Sequence, residues 1–116
     1  MTTNKKIQVP IDNFTIYVTI FDKWEETVKW YTNDKEDERE GFILTNKADP
    51  TKIKFFVNAE YPSCIIHEII HVKNIIFDTI GYSSNKHNDE PEAYLVQYLY
   101  KKIIEVYYKH KDNTKK

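Results

Sequence analysis

The residues best suited to chemistry stand together at His67-Glu68-Ile69-Ile70-His71. Histidines four apart on a helix project from one face about one turn apart, so both imidazoles can reach a single Zn²⁺ at roughly 2.0–2.1 Å. Glu68 lies beside that face, where a carboxylate can take a proton from metal-bound water instead of acting as a ligand. With four His and ten Glu in 116 residues, the pattern has roughly a one-in-a-hundred chance of arising at random. Its setting adds weight, because the two imidazoles and the carboxylate interrupt an isoleucine-rich run where polar groups are costly unless satisfied.

A catalytic zinc needs a third protein ligand and an open position for water. His87, Asp89, Glu90 and Glu92 follow His71 by 16, 18, 19 and 21 residues. Positions 74 and 77 are Asn74 and Phe77, which excludes the three-histidine metzincin spacing with its Gly and His there. The third ligand must therefore come from the next element. Both Glu90 and Glu92 also suit the first turn of a helix simply as helix-terminal charges.

The elements that must position these groups read as α+β. Phe14 to Phe21 is β-branched or aromatic throughout and alternates, a half-buried strand; an extended piece ahead of it is compatible only with an edge. Asp22 as N-cap, with Glu25 three residues later, predicts a helix through Trp24, Val28 and Tyr31 that stops near Asn33. Asp34 to Glu40 is an unbroken charged run and reads as a solvated segment. Gly41 to Thr45 and Lys52 to Asn58 read as strands joined by Asn46-Lys47-Ala48-Asp49-Pro50. Pro62 and Ser63 open the motif helix, whose wide isoleucine stripe predicts central burial and which ends at Gly81. Ser83 to Asp89 reads as a polar loop. Glu90-Pro91 opens the last helix, with Ala93, Tyr94, Val96, Leu99, Ile103, Ile104 and Tyr107 as its apolar face and residues 110–116 as a frayed, lysine-rich tail.

Composition narrows the field. The 116 residues suffice for one domain, with 41% hydrophobic residues to build a core. Seventeen Lys and Arg against 18 Asp and Glu leave a net charge of -1, which removes the electrostatic case for nucleic acid or an anionic membrane surface. The single cysteine, Cys64, excludes an internal disulfide and a four-Cys zinc cluster, so any metal falls to His and carboxylates. No apolar run reaches the roughly 20 residues that span a bilayer. The first residues carry no secretory pattern, so a cytoplasmic location is expected.

The motif helix, the acidic group about twenty residues on and the small preceding sheet together resemble the gluzincin side of the zincin metallopeptidases, in a minimal form. The stretch Asp89-Glu90-Pro91-Glu92-Ala93-Tyr94-Leu95-Val96 after His67-Glu68-Ile69-Ile70-His71-Val72 is similar to small zincin-like proteins of bacteriophages and mobile elements. The resemblance covers roughly Lys52 to Ile104. It implies a single zincin-like domain: a mostly antiparallel sheet of three or four strands packed on an N-terminal helix, the motif helix and a C-terminal helix.

His67, His71 and Glu90 would then hold Zn²⁺, with Glu92 as the alternative third ligand, and Glu68 would be the general base of peptide-bond hydrolysis. Where thermolysin-type members carry an Asp four residues after the ligand Glu, this chain has Tyr94, whose hydroxyl is a candidate for supporting a ligand or an oxyanion. Asp78 and Asp89 are candidates for orienting a ligand histidine. A peptide or protein substrate would add as a strand along residues 52–58. So short a chain implies a narrow substrate range or a partner protein that completes the cleft. The alternatives are a zincin-like structural or virion-associated protein that binds zinc without useful activity, and a module whose histidines merely pack.

Overall fold

In the computed structural model, residues 1–27, 39–82 and 88–114 are described. Alternation dictates the first hairpin. Strand β1 (Thr2–Gln8) pairs antiparallel with β2 (Thr15–Phe21). The chain reverses through Asp12 and Asn13 with φ of 43° and 60°, a left-handed conformation that Asp and Asn tolerate better than most residues. As expected of the first extended piece, β1 lies at a sheet edge.

A second hairpin joins β3 (Gly41–Asn46) to β4 (Asp49–Asn58). Its turn is tight because the Asn46 side-chain oxygen accepts the Ala48 N–H at 2.8 Å and Asp49 accepts that of Thr51 at 3.1 Å. β4 inserts between β2, to which it runs parallel, and β3, giving a mixed sheet of order β1-β2-β4-β3. The expectation of residues 52–58 as a free edge is corrected here. Phe55, Phe56 and Val57 are consecutive and all buried, as a strand paired on both sides and covered on both faces requires.

The predicted helix after Asp22 also needs correction. The described segment holds only a single 3-10 turn, Trp24–Glu26. The capping carboxylate is Glu26 and not Glu25: its Oε1 accepts the N–H groups of Asp22 and Lys23 at 3.1 and 3.0 Å. Val28, Tyr31 and most of the charged run lie outside the described residues.

Among the described residues, two α-helices lie on one face of the sheet. Helix α1 (Cys64–Ile80) ends at Gly81, whose φ of 75° lets the Tyr82 N–H reach back to the Phe77 carbonyl at 2.8 Å. It buries Ile65, Ile69, Val72 and Ile76 against Ile16, Val18, Ile53 and Phe55. It is not central, as the isoleucine stripe suggested, because Ile66 and Ile70 stay 45% and 40% exposed. Helix α2 (Glu90–Thr114) presents Leu95, Leu99, Ile103, Val106 and Tyr107 to the same core. The opposite sheet face carries an aromatic cluster, with Phe42 and Phe56 stacked at 4.4 Å and Trp24 edge-on to Phe42 at 5.7 Å. Among the described residues, no helix is long and apolar enough to cross a membrane.

The expected frayed tail is instead helical to Thr114 and anchored by a buried histidine. His110 is fully buried; Nε2 donates to Asp22 Oδ1 at 2.8 Å, and Nδ1 lies 2.8 Å from the Thr3 hydroxyl. One imidazole thereby ties α2 to β1 and to the turn after β2. Replacing it leaves a cavity and strips two polar partners. His110→Ala should lower the unfolding free energy by about 2–4 kcal/mol in urea denaturation, whereas an unchanged midpoint would show that the clamp contributes nothing.

Candidate metal centre

Helical geometry brings the two motif histidines together. His67 Nε2 and His71 Nε2 lie 3.2 Å apart, with ring planes crossed at 73°. Two nitrogens each bound to one tetrahedral ion stand roughly 3.3 Å apart, so the pair already has the bite of a chelate. The His67 side chain is 68% exposed, open to an ion from solvent.

Glu68 takes the opposite environment. Its side chain is 8% exposed, with Oε1 4.0 Å from His67 Nε2. The space for it is made by Gly41 at the start of β3: a Cβ there would lie 3.2 Å from Glu68 Cγ and 3.2 Å from the Phe56 carbonyl oxygen. Burial raises the pKa of Glu68, while the charges of His67, His71 and Arg39 pull it down. A carboxyl group poised above its ordinary range beside two imidazoles is suited to accept and return a proton.

These groups line a cleft of about 430 Å³ between α1 and β3, together with Arg39, Gly41 and Ile43. Backbone polarity along this wall follows from the register. The Asn58 N–H donates to the Glu40 carbonyl at 2.8 Å, so Glu40 and, two residues on, Phe42 and Leu44 turn their polar groups toward β4. Gly41, Ile43 and Thr45 turn theirs away from it. The strand bordering the site is thus β3, at the sheet edge.

Cys64, one turn before Glu68, donates to Glu40 Oε2 at 3.3 Å. Burial, that hydrogen bond and the charges of Glu40 and Glu68 push its thiol up to about 11, so it remains protonated and is a poor nucleophile or metal ligand at neutral pH.

The structure does not gather the predicted acidic ligands with the histidines. Among the described residues, no three His, Cys, Asp or Glu side chains meet as a metal-binding group. Glu92 Oε2 pairs with Lys73 Nζ at 3.2 Å, with the two side chains 19% and 13% exposed. Glu90 is exposed on the first turn of α2, as is Asp89 just before it. Tyr94 is 65% exposed and does not line the cleft. Asp78 is exposed near the end of α1, and His87 lies outside the described residues. The residues present therefore fit a two-histidine metal seat with an adjacent base. Arg39 and Gly41 are the contributors that motif reading missed. The signal for Arg39 was compositional, since it is the only arginine in the chain.

The raised pKa of Glu68 fixes the sign of a pH effect. Below its unperturbed value of 4.5 the carboxyl is protonated folded or unfolded; as pH rises past that value, ionisation favours the unfolded chain and stability is lost. In metal-free protein, Glu68→Gln should therefore raise the denaturation midpoint at pH 7 and give almost no gain near pH ~3.5. Equal midpoints at both pH values would mean that the carboxyl is not held against ionisation.

Compared with known proteins, the chain matches no family model, no curated protein and no solved structure.

Proposed function

We propose that this chain is a zinc-dependent hydrolase of peptide bonds with a narrow substrate range. The observation that carries the reading is the pair of exposed imidazole nitrogens 3.2 Å apart beside the buried carboxyl of Glu68. In this reading His67 and His71 hold the ion. The third ligand is assigned to Glu90, which stands exposed at the head of α2 and apart from the histidines, since Glu92 is engaged by Lys73. When bound, Zn²⁺ lowers the pKa of its water toward about 7 and polarises the carbonyl.

The chain's own residues do the rest. Glu68 accepts the water proton, which its desolvated setting favours, and later passes it to the leaving amine. The outward N–H and C=O groups of Gly41, Ile43 and Thr45 supply a wall along which an extended peptide can pair as an added strand. They take the part first assigned to residues 52–58. The open cleft leaves room for a partner protein to complete it.

Purified protein supplemented with zinc should bind one equivalent and cleave members of a peptide library. Glu68→Gln should retain the metal and lose turnover by at least about 10²-fold, and His67→Ala should lose both. Retained turnover in Glu68→Gln would contradict the reading.

A second reading, a zinc-binding protein without useful activity, is favoured by the absence of an acidic ligand beside the histidines among the described residues. Stoichiometric zinc with no cleavage of any library member would select it. Zinc titrations also distinguish the two glutamates. Glu90→Gln should weaken binding by about tenfold or more while Glu92→Gln loosens only the α1–α2 ion pair; the reverse result would assign the ligand to Glu92.

A further inference from the structure

Sixteen of the 17 basic residues in this chain are lysines; the one arginine, Arg39, lines the cleft with His67, Glu68 and His71. Among the described residues lining that cleft it is the only lysine or arginine. Where lysine serves nearly every basic role, a guanidinium at this spot supplies something an ammonium does not: a planar fork of donors that grips a carboxylate through two parallel hydrogen bonds. Arg39 stands two residues before Gly41, at the entry to the strand whose outward backbone groups face the cleft. Its side chain is therefore at one end of the track that an extended peptide would follow. We propose that Arg39 is a specificity residue that binds a carboxylate of the peptide substrate, so that the site selects acidic peptides.

The proposal rests on the hydrolase reading for the identity of the ligand as a peptide, but it can be measured without turnover. The positive charge near Glu68 also favours ionisation of that carboxyl, and an arginine acting only through Glu68, or directly on the developing oxyanion, would affect all substrates alike. Recognition of a carboxylate affects only those that carry one.

The carboxylate can belong to a chain terminus or to an acidic side chain. Three matched peptides separate these sources: one neutral with an amidated end, one identical but with a free C-terminus, and one amidated with an internal Glu. Binding to zinc-loaded and metal-stripped protein is followed by calorimetry, with kcat and KM measured wherever cleavage occurs.

At least one carboxylate peptide should bind about tenfold or more tightly than the neutral one. Arg39→Gln should abolish that preference, and Arg39→Lys should recover part of it. A wild-type protein with no preference, a preference that survives Arg39→Gln, or an equal fall in kcat on all three peptides would overturn the proposal. Preference without cleavage of any peptide would sustain recognition by Arg39 while removing the hydrolase reading.

Discussion

The site depends on the burial of one carboxyl group between helix α1 and the backbone of β3. Glu68 follows directly after a histidine that is 68% exposed, yet it is itself 8% exposed. The difference arises because α1 turns its 65/68/69/72 face inward. A side chain at position 41 would compete for the space that the stem of Glu68 occupies, so the glycine there and the glutamate on the helix form one device. The burial that raises the pKa of Glu68 also lets the charges of the imidazoles and Arg39, which lower it, act through less solvent. A carboxylate free in solvent beside the same histidines would have neither property.

Topology determines which backbone borders this carboxyl group. Had β3 and β4 formed a hairpin added with β4 outermost, the apolar Phe55-Phe56-Val57 segment would line the edge, a liability for any exposed strand. Insertion of β4 in the middle buries that segment on both faces and leaves the shorter β3 beside α1. The far end of the molecule is secured separately. His110, held by Thr3 and Asp22, fixes α2 across β1 and the turn after β2, with Tyr98 donating to the Gln8 carbonyl at 2.8 Å as a second tie.

Local patterns carried much of the fold. Alternation found β2, β3 and most of β4; the Pro-Ser start and Gly81 stop bounded α1; and Glu90-Pro91 marked the beginning of α2. Long-range choices were less accessible. The order of strands depends on which faces are covered, and the apolar Phe56 opposite Ile53, Phe55 and Val57 was the available sign that β4 is interior. The apolar face of α2 was placed correctly at Leu99, Ile103 and Tyr107 but missed Leu95 and Val106 and wrongly included Tyr94, which is apolar enough to be read as core although its hydroxyl end favours water. His110 looked like part of a basic tail because nothing nearby in sequence reveals partners at Thr3 and Asp22. Within the site, the motif spacing foretold the His67–His71 approach. The Lys73–Glu92 pair was invisible to a reading that looked only for metal ligands and gave no weight to a neighbouring cation.

The central claim is that His67 and His71 act as one metal seat through their Nε2 atoms. Long-range nitrogen–proton correlation spectra of the histidine rings during a zinc titration test it most directly. The account predicts that the Nε2 resonances of His67 and His71 shift together and saturate at one equivalent, while the ring of buried His110 is unmoved. Separate titration of the two rings, or no response to zinc in the micromolar range, would contradict it.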